Sequence, residues 1–292
     1  MKINKTVHIA ITNQKGGAGK TTTANSIAIL LSETFNKKVC LIDCDQQANT
    51  TKMFVQGREI EEAKQLTDSI IEYDGKFSNN ILTLSHLLTN KEQDVFKIIH
   101  PTKYPNLNII ASSLELNIAI KHISSSAKHL KSKLNNLNGA YDFIIYDCAP
   151  STDVLLSNIL AASDLVLIPI QPEQQSIDGM NQTIKFINET QHLENHSLNF
   201  KVFLTMLDKR LKMHREFVDD FARVDFNAKA IVFNTLNGKH RLKTSIRRQT
   251  APVEKSANNN EVTHFTLLTG TKRPGVAEDY YMLVEELLKE VE

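Results

Sequence analysis

Short apolar runs rich in Val and Ile alternate with longer segments of helical periodicity, and this alternation limits the fold of the chain more than any other feature. Most of the runs are continuously apolar, which is typical of strands buried on both faces of a parallel sheet. Strands and helices in alternation predict a doubly wound α/β fold, a mostly parallel sheet flanked by helices. The predicted strands are residues 7–12, 38–42, 107–111, 143–146, 165–170, 200–206 and 230–233, and the predicted helices are 21–35, 116–137, 151–162, 176–191 and 215–226.

The composition of the sequence gives no indication of more than one domain. The sequence has no internal repeat and no Gly/Ser- or Pro-rich linker, so we predict a single domain over residues 1–292, with a local insertion at 56–80. No run approaches the roughly 18 to 20 apolar residues of a membrane-spanning helix. Cys40, Cys44 and Cys148 are an odd number of cysteines without a CxxC pair. They argue against a disulfide framework and for a reducing cytoplasm.

The first predicted strand leads into a glycine-rich loop that runs directly into a helix. The phosphate-loop pattern G-x-x-x-x-G-K-[ST] has glycine where this chain has Gln14, yet three glycines remain to turn backbone N–H groups around a phosphate at the helix N-terminus. Lys20 is placed to reach the β- and γ-phosphates, and the Thr21 hydroxyl is placed for Mg²⁺. We therefore predict a fold of the P-loop NTPase type whose nucleotide-binding residues include Gly16, Gly17, Ala18, Gly19, Lys20, Thr21 and Thr22.

The lysine ahead of the glycines makes this loop resemble one family. KGGxGK[ST], beginning here at Lys15, is the deviant Walker A motif of the ParA/MinD group of ATPases. In that group the leading lysine reaches across a nucleotide-sandwich dimer to the phosphates of the other subunit, much as an arginine finger acts in trans. The resemblance implies that ATP is the nucleotide, that hydrolysis requires a homodimer, and that Lys15 is both a nucleotide-binding and a catalytic residue.

Two acidic segments extend the resemblance. Residues 41–51 are similar to the family's switch segment D-x-D-P-Q-x-N, with Gln46 in place of the proline. This similarity implies that Asp45 orients or activates the attacking water and that Asp43 supports the Mg²⁺ shell. Asp147 ends an apolar strand in the Walker B arrangement, which holds Mg²⁺ through its water shell. The predicted metal site is therefore Thr21, Asp43 and Asp147, and Asp45 joins Lys15 as a catalytic residue.

The near-neutral net charge of +1 conceals an uneven distribution. Residues 277–292 hold six acidic side chains against one lysine, a net of −5, so the remainder carries +6. Residues 239–248 are basic and free of acid, and by resemblance they match a stretch whose arginines contact DNA phosphates without sequence preference. A second basic run, formed by lysines between 121 and 133, is either a further DNA surface or a solvated helix face, and the solvated face is the preferred interpretation. The predicted DNA-binding residues are Arg241, Lys243, Arg247 and Arg248.

Members of the ParA/MinD group differ in function, and features of this sequence favour one of those functions over the others. MinD-like members end in a basic amphipathic helix, whereas the acidic face of the last helix here is repelled by anionic lipid, so we expect no membrane binding. Only residues 1–14 precede Lys15, so we expect the small, single-domain partitioning type, found on plasmids and chromosomes. The resemblance implies a cytoplasmic, nucleoid-associated ATPase that dimerises on ATP and binds DNA non-specifically. A ParB-type centromere-binding partner would then stimulate hydrolysis and release.

Two other functions fit the same ATP site. The first is a ParA-like ATPase that positions a protein cargo without segregating DNA, and ATP-dependent binding to random-sequence DNA would separate it from a partitioning ATPase. The second is a dimeric switch that binds nucleotide but barely hydrolyses it. The carboxylate of Asp45 disfavours this switch, because a residue that activates water is needed only for hydrolysis.

Overall fold

The computed structural model describes residues 5–55, 81–90, 93–123, 128–222, 240–248 and 275–291. Their strands are β1 (Val7–Ile11), β2 (Val39–Cys44), β3 (Ile99–Pro101), β4 (Leu107–Ile110), β5 (Phe143–Cys148), β6 (Leu165–Ile170) and β7 (Asn199–Leu204). Their α-helices are α1 (Lys20–Ile29), α2 (Asn49–Val55), α3 (Leu84–Thr89), α4 (Leu116–Ala119), α5 (His129–Leu134), α6 (Val154–Ala162), α7 (Gln174–Leu193), α8 (Lys212–Ala222) and α9 (Val276–Val291). The predicted insertion at 56–80 and the predicted strand at 230–233 lie outside these residues.

The strands form one seven-stranded sheet in the order β3-β4-β2-β5-β1-β6-β7. Every neighbouring pair is parallel except β3 and β4, which are antiparallel. The predicted fold class, a doubly wound and mostly parallel sheet flanked by helices, is confirmed. Strand β3 was not expected from the sequence because it has only three residues, includes Pro101 and lies at the edge of the sheet.

Helices cover both faces of the sheet, and the pleat divides the apolar side chains of each strand between two cores. In β1, Ala10 packs into one core, whereas Ile9 and Ile11 pack into the other. Helices α3, α6 and α7 belong to the first core, and α1 and α9 belong to the second. Burial on both sides explains why the strand sequences are continuously apolar.

The topology creates a crevice at the carboxyl ends of β1 and β5. Helix α1 connects β1 to β2 across one face, and helix α6 connects β5 to β6 across the other. Because these two connections leave in opposite directions, the adjacent strands β1 and β5 form a topological switch point. Ligands bind at such points in open α/β sheets.

Two further observations concern the helices. The continuous helix predicted at 116–137 is wrong, because α4 passes into a 3₁₀ turn at Ile120–His122 and the backbone of Ile123 is extended. Helix α5 follows as a separate short helix.

Within the described residues, none of the helices combines the length and the apolar content that crossing a membrane requires.

Candidate nucleotide-binding site

The loop between β1 and α1 forms an open cradle at the switch point. Gly17 and Gly19 have φ angles of 75° and 86°, in the left-handed region that glycine adopts without steric cost. A Cβ added at Gly16 would meet no atom within 4 Å, so this part of the loop faces open space. The loop ends at Lys20, the first residue of α1, and backbone N–H groups are therefore available at the helix N-terminus.

Asn13 fixes the start of this cradle. Its amide nitrogen donates to the carbonyl oxygen of Pro169 in β6 at 2.8 Å, and its Oδ1 accepts from the backbone N–H of Lys15 at 2.9 Å. Asn13 is fully buried, so these bonds lie in a low-dielectric environment where an unpaired amide would be costly. The sequence analysis did not identify this residue, since an asparagine before a glycine-rich loop has no distinctive spacing.

Lys20 lies across the same loop. Its ammonium donates to the backbone oxygens of Asn13 at 3.0 Å and Lys15 at 2.9 Å, and the residue is only 7% exposed. Burial lowers the pKa of Lys20, while the nearby Asp147 and Asp45 carboxylates raise it in opposition. The cation is thus held inside the cradle, where a phosphate group would give it a partner of opposite charge.

Helix α7 contributes two contacts to the loop. Glu173, the residue before this helix, forms an ion pair with the ammonium of Lys15. Gly179 lies so close that a Cβ there would be 2.5 Å from Asn13 Oδ1 and 3.0 Å from the backbone nitrogen of Lys15. The leading lysine is therefore restrained within its own chain, and a glycine is required where α7 approaches the loop.

The strand register brings the predicted carboxylates together. Asp43 and Asp147 are direct partners in the parallel strands β2 and β5, and Asp147 is also the partner of Ile11 at the end of β1. The pair is therefore level with the point where the phosphate loop begins. Both residues are almost completely buried, with exposed fractions of 0% and 1%.

Asp43 holds the segment that follows β2. One of its oxygens accepts from the backbone N–H of Asp45 at 3.1 Å, and the other accepts from the backbone N–H and the hydroxyl of Thr51 at 2.8 and 2.7 Å. Burial raises the pKa of Asp43 to about 6, although the hydrogen bonds from Thr51 lower it. Both oxygens thus accept hydrogen bonds from the chain, and in this structure the Asp43 carboxylate holds the segment that carries Asp45.

Asp147 has one oxygen without a partner. The hydroxyl of Thr50 donates to Oδ2 at 2.7 Å, whereas Oδ1 is buried and has no hydrogen bond within the described residues. Burial raises the pKa of Asp147 to about 7, the neighbouring Asp43 carboxylate adds to this rise, and the Thr50 and Thr21 hydroxyls oppose it. A buried, unpartnered carboxylate oxygen beside a hydroxyl is a suitable donor set for Mg²⁺.

The small number of protein ligands also fits Mg²⁺. In the part of the chain that the structure describes, no three His, Cys, Asp or Glu side chains come together as an all-protein metal cluster. Mg²⁺ is usually held by one or two carboxylates together with waters and substrate phosphates, so a complete cage is not required.

Asp45 lies in a tight turn directly after β2. Its side chain accepts from the backbone N–H of Gln47 at 2.9 Å, its carbonyl accepts from Ala48 at 2.9 Å, and Ala48 has a left-handed φ of 52°. Asp45 is half-buried, and Gln46, the replacement for the usual proline, is exposed. The turn is therefore closed by hydrogen bonds instead of a rigid ring, and it leaves the carboxylate accessible.

The predicted DNA-binding residues are close together in sequence but differ in their contacts. Arg247 forms a bidentate pair with the buried Asp279 of α9, with nitrogen–oxygen distances of 2.8 and 2.7 Å. Arg241 donates to the backbone oxygens of Phe221 and Ala222 at the end of α8. Lys243 and Arg248 are exposed, and their side chains make no hydrogen bond or ion pair within the described residues.

A buried lysine inside a glycine-rich cradle, beside two strand-end aspartates at a topological switch point, defines a P-loop nucleotide-binding site. Comparison with known proteins agrees, since an AAA-domain family model matches residues 6–200. The sporulation initiation inhibitor protein Soj of Bacillus subtilis is 34% identical over 216 residues, which cover 73% of this chain and 77% of Soj. The chromosome partitioning protein ParA of Myxococcus xanthus is 31% identical over 216 residues, covering 73% and 69%.

Solved structures support the same fold. A plasmid partition protein from Borrelia burgdorferi superposes with a TM-score of 0.67 at 24% identity, over 98% of this chain and 100% of that one. Apo McdA from Cyanothece superposes with a TM-score of 0.71 at 20% identity, over 97% and 99%. With the sequence relatives above, the conclusion is that this chain belongs to the ParA/Soj family of partitioning ATPases.

Proposed function

We propose that this protein binds ATP with Mg²⁺, dimerises, binds DNA non-specifically in the cytoplasm, and releases DNA when a ParB-type partner stimulates hydrolysis. The observation that carries the ATPase part is the unpartnered Oδ1 of Asp147 beside the cradle that holds Lys20. Membership of a family that includes chromosome partitioning proteins supports the DNA part.

Different residues of the site are proposed to bind the phosphates, to hold the metal ion and to assist hydrolysis. The N–H groups of Gly16 to Thr22 and the ammonium of Lys20 would bind the phosphates, while Thr21 and Asp147 would hold Mg²⁺. When bound, Mg²⁺ neutralises charge on the β- and γ-phosphate oxygens. Asp45 is the accessible carboxylate and would orient or activate the attacking water, while Asp43 keeps its loop in place.

Lys15 is proposed to act across the dimer. In one chain its ammonium pairs with Glu173 of the same chain, and burial lowers its pKa. To reach the phosphates of a second subunit, Lys15 must exchange this carboxylate for a phosphate, which carries more negative charge. Dimerisation on ATP would therefore be accompanied by release of Glu173.

Replacing Lys15 by alanine tests this role. We expect Lys15→Ala to bind ATP nearly as well as the wild type but to lose ATP-dependent dimerisation and about 100-fold or more of its turnover, since charge supplied in trans is worth about 10³–10⁵ in related phosphoryl transfers. The measurements are nucleotide titration, light scattering and phosphate release. The exposed Lys38→Ala is the matched control. A dimeric, fully active Lys15→Ala protein would contradict the proposal.

DNA binding is proposed to depend on Lys243 and Arg248, the two predicted DNA contacts whose side chains make no hydrogen bond or ion pair within the described residues. We expect Lys243→Ala with Arg248→Ala to weaken binding equally on all sequences and to reduce the salt slope by about 2, because each lost phosphate contact lowers it by about 1. Arg247 is left intact because its guanidinium holds Asp279. The measurement is a fluorescence titration with random-sequence duplex at several salt concentrations.

The control variant removes the same charge elsewhere. Lys121→Ala with Lys128→Ala neutralises two exposed lysines of the second basic run. We expect it to bind DNA like the wild type, and a larger loss here than in the Lys243/Arg248 variant would move the interface to that run. A wild-type protein that hydrolyses ATP but never binds DNA would favour the positioning of a protein cargo instead.

A further inference from the structure

The three residues after β7, Thr205 to Leu207, contact the phosphate loop on one side and the basic segment 240–248 on the other. The buried hydroxyl of Thr205 lies 3.1 Å from the carbonyl oxygen of Ala18 and 3.3 Å from that of Ile170. Ala18 belongs to the phosphate loop, whereas Ile170 ends β6. Thr205, the first residue of this short segment, is therefore bonded directly to the phosphate loop through the carbonyl oxygen of Ala18.

Met206 extends the contact with the loop. Its sulfur lies 2.9 Å from the side-chain nitrogen of Gln171, which also donates to the carbonyl of Gly17. A Cβ on Gly19 would come 3.8 Å from the methyl of Met206. Met206 itself has a φ of 53°, a left-handed conformation that costs free energy for a residue with a side chain and persists only where its surroundings enforce it.

Leu207 makes the connection to the basic segment. Its backbone nitrogen donates to the carbonyl of Ile246 at 3.0 Å, and its carbonyl accepts from the backbone nitrogen of Arg248 at 2.8 Å. Ile246 is buried in the core beneath, whereas Arg248 is exposed. A movement of Leu207 must therefore move the backbone of the segment that presents Arg248.

The geometry of the peptide bond explains how a phosphate could act on this chain of contacts. The carbonyl of Ala18 and the N–H of Gly19 belong to one planar peptide unit. If a bound phosphate reorients the N–H of Gly19, the carbonyl of Ala18 must turn with it. The hydroxyl of Thr205 is bonded to that same oxygen, and only Met206 separates Thr205 from Leu207, whose backbone pairs with Ile246 and Arg248.

We propose that residues 205–207 transmit phosphate occupancy of the loop to the basic segment, and that Thr205 is a positioning residue for nucleotide-dependent DNA binding. This inference rests on the proposed function in that it assigns the segment 240–248 to DNA. The coupling itself is a property of the chain and can be measured without DNA. An effector that changes affinity at a second site typically does so by about 5- to 150-fold.

A second path from the nucleotide site to the same segment offers a comparison. The hydroxyl of Thr23 in α1 lies 3.3 Å from that of Tyr280 in α9, and the adjacent Asp279 holds Arg247. Tyr280→Phe removes the hydroxyl contact and leaves Thr205 untouched. If residues 205–207 carry the coupling, Tyr280→Phe should keep it.

The first experiment measures hydrogen exchange at the amides of Leu207, Ile246 and Arg248 with ATP, with ADP and without nucleotide. In the wild type we expect ATP to change their protection. In Thr205→Val, which keeps the shape but removes the donor, the change should disappear although ATP is saturating, and Thr205→Ser should restore it. If Thr205→Val lowers the melting temperature, Thr205→Ala provides the same comparison. An unchanged ATP response in both variants would overturn the inference.

The second experiment measures the affinity for random-sequence DNA with ATP and with ADP for the same proteins. We expect the ratio of the two affinities to fall towards 1 in Thr205→Val and to recover in Thr205→Ser. ATP-dependent DNA binding that is retained in Thr205→Val, or lost in Tyr280→Phe alone, would refute this path and leave the proposed function intact. An ATP response in hydrogen exchange without any DNA binding would instead refute the DNA-binding proposal and support the coupling.

Discussion

Asp45→Ala is expected to lose about 100-fold or more of the ATP turnover while it still binds ATP and dimerises, because a positioned general base contributes about 10²–10⁴-fold. The structure explains why binding should survive. Within the described residues, the Asp45 carboxylate accepts a hydrogen bond from the backbone of Gln47 and makes none with the phosphate loop. Removing it leaves the contacts of Lys20 and Asn13 unchanged.

Single-turnover phosphate release and nucleotide titration measure the two properties separately. Asp45→Asn is the matched variant, since its amide oxygen can still accept from Gln47 but carries no charge. We expect it to be as slow as Asp45→Ala, which would assign the loss to the charge and not to the turn. Loss of ATP binding in Asp45→Ala, or normal turnover in Asp45→Asn, would contradict the assigned role.

Replacing Asp43 should have a different effect from replacing Asp45, although the two residues are only two positions apart. Its oxygens accept three hydrogen bonds from Asp45 and Thr51, and it is fully buried. A variant without this carboxylate leaves buried donors unsatisfied, and each such group costs about 1–3 kcal/mol. Within one D-x-D segment, replacing the more accessible Asp45 should therefore impair hydrolysis, whereas replacing the buried Asp43 should displace the loop that carries Asp45.

The sequence predicted the parts of this site that follow from chain-local patterns. A glycine-rich loop between a strand and a helix must present N–H groups, and apolar strands that end in Asp must place those carboxylates at one edge of a parallel sheet. Both expectations required only neighbouring residues. Asp43 and Asp147 are direct partners because their strands are adjacent in the sheet and pair in this register.

What the sequence could not predict depends on contacts between distant segments. Arg247 is a residue of the type that contacts DNA phosphates, but Asp279, 32 positions further along the chain, pairs with one edge of its guanidinium through Nε and Nη2. Glu173 directly precedes α7 and Gly179 lies within it, and the apolar pattern of this helix predicts only its buried face, although both residues contact the phosphate loop. Such partners are set by how α7 and α9 pack on the sheet, and no local spacing encodes that packing.

Gly179→Ala is expected to lower the stability of the protein and to weaken ATP binding, although the substitution adds a single methyl group. Alanine is favoured over glycine in a helix interior by about 1 kcal/mol. However, the new Cβ would lie 2.5 Å from Asn13 Oδ1, a buried atom that is already bonded to the backbone of Lys15. Overpacking of this kind costs about 1–3 kcal/mol, so we expect a net loss of stability as well as a displaced phosphate loop.

The displaced loop should weaken ATP binding more than the change in stability alone would suggest, because Asn13 and Lys15 begin the phosphate cradle. Calorimetric melting and nucleotide titration measure the two effects. Gly16→Ala is the control, since its Cβ meets no protein atom and should leave the melting temperature of the nucleotide-free protein unchanged. Wild-type melting and ATP affinity in Gly179→Ala would show that the loop yields easily.

A double-mutant cycle with Asn13→Ala identifies the atom responsible. If the methyl group acts by displacing the Asn13 side chain, then the two substitutions together should cost less than the sum of their separate effects, since Asn13→Ala removes the group that clashes. If instead the contact at 3.0 Å with the backbone nitrogen of Lys15 dominates, the two costs should add, because alanine at position 13 leaves that backbone in place. Either outcome assigns the close approach of α7 to a named atom of the loop.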